Sequence, residues 1–216
     1  MRTSSTSGEG PVALRKDAQR NRERLVEAAR AVFAERGLDV ALDEVARRAG
    51  VSIGTLYNRF PQRADLVAAV FADRAETVIS LAEHALSMED AWTGFAHFVE
   101  QVCRMQAADR GYNDLSARSV PQAAPTAGHR RGHELMTRIV ARAQDSGDLR
   151  PDFELPDMAF VTWSITRTIA ATADVRNDAW RRHLGFVLDG LRASAAHPLP
   201  VPALGPEEIA RVMRDC

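Results

Sequence analysis

Several features are scarce or missing in this 216-residue chain, and each absence removes a class of protein. There are only two cysteines, Cys103 and Cys216, far apart in the sequence. They supply neither a disulfide framework nor a cysteine-rich metal site, so a reducing cytoplasm is the expected compartment. No apolar run is long enough to cross a bilayer: the longest, around Met158 to Ala173, is interrupted by Thr162, Ser164, Thr166 and Arg167. The opening M-R-T-S-S-T-S-G-E-G has no apolar centre, which is unlike a secretory signal. No internal repeat and no strand-like alternation is present. A glycine-rich phosphate loop, a nucleophile elbow and a convincing acid–base pair are also missing, so no catalytic residue and no cofactor is expected.

What remains is helical periodicity, and the fold class it predicts is all-α. Leu25, Ala28, Ala29, Val32 and Phe33 recur at three- and four-residue steps, and Gly37 stops that helix. Leu42, Val45, Ala46 and Ala49 repeat the pattern over a much shorter run that Gly50 ends. Ser52 is placed to cap a third, short helix. Pro61 suits the first position of a fourth, long helix running through Leu66, Val70, Val78 and Leu81 and joining two parts of the molecule. Further helices are predicted near 89–108, 125–146, 156–173 and 177–194. A short helix and a loop are expected between Gly111 and Gly128, a turn at G-D-L-R-P-D (147–152), and a non-helical tail at 197–206, where four prolines interrupt the chain. The expected organisation is a leader (1–18), a small head (19–65), a larger helical domain (66–196), and a proline-rich tail with a short terminal helix (197–216).

The overall formal charge is −1, yet residues 1–63 hold 12 Arg and Lys against 8 Asp and Glu. A basic head on an acidic body is the balance a nucleic-acid reader needs. Helices two and three of the head, joined by a glycine-bearing turn, form a helix-turn-helix, whose second helix can enter the DNA major groove. In that short helix Val51, Leu56 and Phe60 hold it to its neighbours. Gly54 and Thr55 are small enough for close backbone approach. Thr55 and Asn58 can hydrogen-bond base edges, and Ile53 can make only apolar contact, for instance with a thymine methyl.

The stretches R-L-V-E-A-A-R-A-V-F-A-E-R-G (24–37) and L-D-E-V-A-R-R-A-G-V-S-I-G-T-L-Y-N-R-F-P-Q-R-A-D-L (42–66) resemble the DNA-binding domain of TetR-type transcriptional regulators. The resemblance is dense over about fifty residues and lacks a diagnostic motif beyond them. It implies a homodimer on a palindromic double-stranded operator and a small-molecule-responsive carboxy-terminal domain, with a repressor as the expected mode. By position, Ser52, Tyr57 and Arg63 match phosphate-contacting residues, and Ile53, Gly54, Thr55 and Asn58 match positions that vary with operator sequence. Two departures stand out. Ala41 replaces the usual Thr or Ser before helix two, and Arg59 replaces a histidine, adding a permanent charge that can face a phosphate. Arg15, Lys16, Arg20, Arg22 and Arg24 are candidates for an arm along the DNA backbone.

In the larger domain the aromatic-rich helices are read first as core and second as the lining of an apolar or amphipathic effector pocket. The candidates are Trp92, Phe95, Cys103, Met105, Trp163 and Arg167; a buried Arg167 would favour an acidic ligand. A dimer interface is expected from the helices at 156–173 and 177–194, through Ile165, Ile169, Trp180, Leu184, Val187, Leu188 and Leu191. His129 and His133 stand at i and i+4 without a third ligand, so no metal site is expected. A regulator that binds DNA without an effector remains the alternative.

Overall fold

A computed structural model of the chain describes residues 11–117 and 127–215. The leader before Pro11 and part of the loop expected between Gly111 and Gly128 lie outside the described residues. The chain divides into two compact units, Met1–Val32 with Asp39–Val70, and Phe33–Leu38 with Phe71–Cys216. Among the described residues no strand forms, and the one bridge, Leu149 with Arg192, is isolated.

The first unit contains most of α1 (Pro11–Arg36), α2 (Leu42–Ala49), α3 (Ile53–Arg59) and α4 (Arg63–Val70). α1 begins at Pro11, so residues 11–18, expected as leader, are helical. Proline is well placed to open a helix, and no glycine or further proline interrupts the following 25 residues. Leu25, Ala28, Ala29 and Val32 are buried here, as are Val45, Ala46, Ala49, Leu56, Phe60 and Leu66.

The fourth helix is shorter than expected. It ends at Val70, and α5 (Ala72–Ser87) starts afresh one residue later. Periodicity runs across this point, but Phe71 leaves the helical region (φ −102°, ψ 11°) and its ring lies 6.0 Å from that of Tyr112. The interruption frees the Val70 carbonyl, which accepts a hydrogen bond from the Arg30 guanidinium at 3.2 Å. Pro61 lies before rather than inside α4, and Asp65 Oδ2 accepts from the Gln62 backbone N–H at the helix start.

The second unit is a bundle of α5, α6 (Ala91–Ala108), α7 (Arg110–Ala117), α8 (Ala127–Asp145), α9 (Asp157–Thr172) and α10 (Ala179–Leu191), followed by a 3₁₀ turn (Ala193–Ala195) and α11 (Pro206–Asp215). α5 packs on α6 and α8, α6 on α7, α8 and α9, and α9 on α7 and α10. Phe95, Phe98, Val99, Cys103, Leu135, Ile165 and Trp180 are among the residues of one continuous buried cluster. Two arginines tie its ends. Arg142 of α8 donates to the carbonyls of Leu86 (3.3 Å), Met88 (2.6 Å) and Glu89 (2.7 Å), satisfying acceptors at the end of α5. Arg150 grips Asp152 with two donors and reaches the carbonyls of Gly190 and His197, fastening the start of the proline-rich tail.

The turn between α5 and α6 is closed as tightly as a backbone allows. Asp90 caps α6 by accepting from the Thr93 N–H at 2.7 Å, and hydrogen bonding by the Thr93 side chain, then by this N–H, holds its carboxyl below the usual range. One turn later Gly94 lies so close to α5 that a Cβ would run into the Ala85 carbonyl oxygen. Gly94→Ala is therefore expected to lower stability by about 2 kcal/mol despite the better helix propensity of alanine. Urea unfolding should show a lower midpoint with an unchanged slope.

Candidate nucleic-acid interface

The helix-turn-helix is built from backbone chemistry first. α2 ends on Gly50, whose left-handed conformation (φ 66°) turns the chain out of the helix. The N–H groups of Gly50 and Val51 return to the carbonyls of Arg47 (3.1 Å) and Ala46 (3.0 Å), so the last carbonyls of α2 are satisfied. Ser52 then stands in an extended conformation and its Oγ accepts from the Thr55 N–H at 3.1 Å. The start of α2 has no such cap: Ala41 offers no side-chain acceptor, and the first-turn carboxylates Asp43 and Glu44 supply only favourable charge.

α3 buries one residue fully, Leu56, and its C-terminal neighbour Phe60 is 2% exposed, with the Arg22 guanidinium 5.3 Å above its ring. The opposite side is left free. Ile53 is 36% exposed and Tyr57 50%, and Ser52, Gly54, Asn58 and Arg59 are also exposed. Among the described residues, and leaving aside its chain neighbours and the backbone of its own helix, only Ser52 Oγ, at 3.9 Å, stands within 4 Å of where a Gly54 Cβ would be. The exposed set therefore combines an apolar contact, an amide, a phenol and a guanidinium on a helix narrow enough to enter a groove. Those are the groups that read thymine methyls and adenine edges and that hold phosphates.

Two of the expected contact residues are engaged within the chain. Thr55 is half-buried, and its hydroxyl lies 2.9 Å from Ser52 Oγ, so it serves the cap before any base. Arg63, expected to grip a phosphate, donates to the Val40 carbonyl at 2.8 Å and so ties the chain entering α2 to the first turn of α4. Arg24, named above as a candidate for an arm along the DNA backbone, stands beside the turn instead: it approaches Gly50 closely enough that a Cβ there would lie 2.8 Å from its guanidinium. Its place in the arginine-rich part of α1 was visible, but its proximity to the turn depends on how α1 crosses α2 and α3. Arg47, 77% exposed at the end of α2, adds a second positive group.

In the second unit the pocket candidates separate. Trp92, Phe95 and Cys103 are buried in the core cluster, while Met105 and Trp163 are half-buried. Arg167 is exposed, so the argument for an acidic ligand, which required its burial, does not apply. Burial pushes the Cys103 thiol up to about 12, which leaves it protonated and unreactive at neutral pH. Of the residues expected at a dimer interface, Ile165, Ile169, Trp180 and Leu184 are buried within the chain's own core. Val187, Leu188 and Leu191 are half-buried. The aromatic residues left outside on these helices are Phe160, at 42% exposure and edge-on to Trp163, and Phe186, at 62% with Arg182 above its ring. His133 is exposed, and among the described residues no group of three metal-ligating side chains comes together.

Comparison with known proteins agrees with this architecture. Residues 25–70 match the model of bacterial regulatory proteins of the tetR family. Residues 90–193 match the C-terminal domain of SbtR-like transcriptional regulators. An HTH-type transcriptional regulator of Staphylococcus aureus (strain USA300) is 39% identical over 54 residues, which is 24% of this chain and 29% of that relative. The chain thus spans less than a third of the length of the curated relatives it matches. A TetR transcription regulatory protein from Mycobacterium vanbaalenii is 31% identical, with 83% of this chain and 99% of that one covered at a TM-score of 0.47. A TetR transcriptional regulator from Streptomyces coelicolor is 26% identical, with 79% and 98% covered at a TM-score of 0.50. Sequence matches at both ends of the chain, one of them centred on the helix-turn-helix built above, identify it as a member of the TetR family of transcriptional regulators.

Proposed function

We propose that the chain is a homodimeric, operator-binding repressor that a small-molecule effector releases from DNA. The observation that carries the DNA-binding part is the outward face of α3. A seven-residue helix that buries only Leu56, and leaves Ile53, Gly54, Tyr57 and Asn58 exposed, has no evident packing role for that face. On this reading Tyr57 and Arg59 hold phosphates, Ile53 and Asn58 meet bases, and Ser52 contributes from the cap. Two copies related by a two-fold axis place their recognition helices in successive major grooves about 34–36 Å apart.

Dimerisation is supported by the outer surface of α9 and α10, where Phe160, Trp163 and Phe186 leave aromatic area facing solvent in a single chain. On this reading the partner sits on the face opposite the buried Ile165, Trp180 and Leu184. The family membership and a second helical unit apart from the helix-turn-helix support the effector-release reading. A ligand that prefers the conformation of that unit unsuited to DNA weakens operator affinity, and operator weakens ligand affinity by the same factor. Equal effector affinity with and without operator in a calorimetric titration rejects release.

Titration against the chain's own upstream DNA at two salt concentrations tests the DNA reading. Asn58→Ala is expected to cost about 1–3 kcal/mol on the best site and to relax discrimination at one base position. Arg59→Ala is expected to weaken all sequences alike and to reduce the salt slope by about 1. Gly54→Leu should melt no lower than wild type yet lose the operator, because a Cβ there makes only ordinary contact with Ser52 Oγ, at 3.9 Å, and the side chain beyond it would occupy the groove. Binding by Gly54→Leu at wild-type affinity removes α3 as the reading element.

Phe160→Ser combined with Phe186→Ser tests the dimer. Sedimentation should show the pair shifted to monomer, with operator affinity falling by at least about tenfold because half of the base contacts go with the partner. A double variant that stays dimeric puts the interface elsewhere.

A further inference from the structure

Three buried side-chain atoms of the second unit have no hydrogen-bond partner among the described residues: Gln106 Oε1, Asn113 Oδ1 and Thr166 Oγ1. The residues are 3%, 3% and 1% exposed. They belong to α6, α7 and α9, three helices in mutual contact. Gln106 and Asn113 stand on either side of the tight α6–α7 turn, linked through Asp109, whose N–H bonds the Gln106 carbonyl and whose carbonyl accepts from the Asn113 N–H. Asn113 Nδ2 donates across to the Thr166 backbone carbonyl at 3.3 Å. That bond fixes which end of the amide is oxygen, because a carbonyl accepts only from the NH₂ group.

Thr166 is the exception on its helix. Thr162, Ser164, Thr168 and Thr172 of α9 all return their hydroxyls to carbonyls one turn back. Thr166 does not, although a buried hydroxyl without a partner is costly and the bond to its own helix was available. Groups of this kind cluster where a partner is absent. The nearest charged groups do not provide one: Asp109 is committed to Arg74 at 2.6 Å and to the Tyr112 N–H at 3.0 Å.

We infer that Gln106, Asn113 and Thr166 are the polar end of a ligand site in the α6–α7–α9 layer, which takes a neutral small molecule carrying a hydroxyl donor on an apolar body. Two of the three groups are acceptor oxygens and the third, a hydroxyl, can also accept, so the ligand donates. A carboxylate or phosphate would face unpaired oxygens with no free cation among these groups. The apolar walls come from the same helices: Val99 precedes Gln106 by seven residues on α6, and Ile165 and Ile169 lie beside Thr166 on α9, all buried. The inference deepens the effector reading and rests on it.

The position also gives the ligand something to act on. α7, which carries Asn113, is held at its next residue, where Asp114 Oδ2 accepts from the Leu38 N–H just after α1, at 2.9 Å. At its start Asp109 holds Arg74 of α5. A ligand bonded to Asn113 therefore pulls on the short helix that fixes the end of α1 and the beginning of α5 within this unit.

The test uses the full chain with two matched pairs of probes, phenol against anisole and cyclohexanol against methoxycyclohexane, in thermal-shift and calorimetric titrations. A hydroxyl probe is expected to raise the wild-type melting temperature where its ether does not. Thr166→Val, which keeps the shape and removes the orphan hydroxyl, should melt about 2–4 °C higher without ligand. It should bind the hydroxyl probe about tenfold more weakly. Equal binding of alcohol and ether, unchanged affinity in Thr166→Val, or no shift of the wild type by any of the four probes overturns the inference. So does a Thr166→Val chain that melts lower than wild type, which would mean that the hydroxyl is satisfied by a structural water. A hydroxyl probe that binds through Thr166 without altering operator affinity supports the site and instead rejects effector release.

Discussion

A helix of seven residues has almost no stability of its own, since nucleating it fixes more dihedral angles than its few hydrogen bonds repay. Everything proposed for the recognition face therefore depends on how α3 is held from behind. Three devices hold it: Leu56, fully buried; Phe60, closed over by Arg22; and the Ser52 cap that fixes the first turn. The left-handed Gly50 sets the angle at which α3 leaves α2. With those in place the outer residues need contribute nothing to folding, which frees Ile53, Gly54, Tyr57 and Asn58 to be chosen for what they touch outside the chain. The same division explains why Thr55, though at a reading position, is half-buried: its N–H and hydroxyl both belong to the cap.

Much of the first unit was legible because its signals are local. Glycine after an amphipathic run, serine before the next one, and three- to four-residue spacing of Leu25, Ala28, Ala29 and Val32 each act over one or two turns. The features that were missed involve distant partners. The break at Phe71 has no local sign: the apolar period continues through Val70 and Val78, and what meets the break comes from afar, the Tyr112 ring forty-one positions away and the Arg30 guanidinium on the Val70 carbonyl. Arg63 looked free because its acceptor, the Val40 carbonyl, lies across the head.

The second unit shows the complementary limit. α9 and α10 are apolar on more than one side, and periodicity alone cannot say which side faces the protomer's own bundle. Ile165, Trp180 and Leu184 turn inward, leaving Phe160 and Phe186 outside. Arg167 interrupts an apolar helix in sequence, yet in space it only marks the solvent side of α9. Conversely, Thr166, one position earlier, reads in the sequence only as one of several polar interruptions of an apolar run, and only burial together with the missing back-bond sets it apart from Thr162 and Thr168.

The state of Cys103 has a consequence for how this regulator relates to its surroundings. A response to peroxide begins with a thiolate, and desolvation holds this group as a thiol in the folded bundle. Its oxidation or alkylation must wait for α6 to part from its neighbours. The rate at which an alkylating reagent captures Cys103 is then a clock for the opening of the bundle, set by how firmly the helices close over it and indifferent to the redox poise outside.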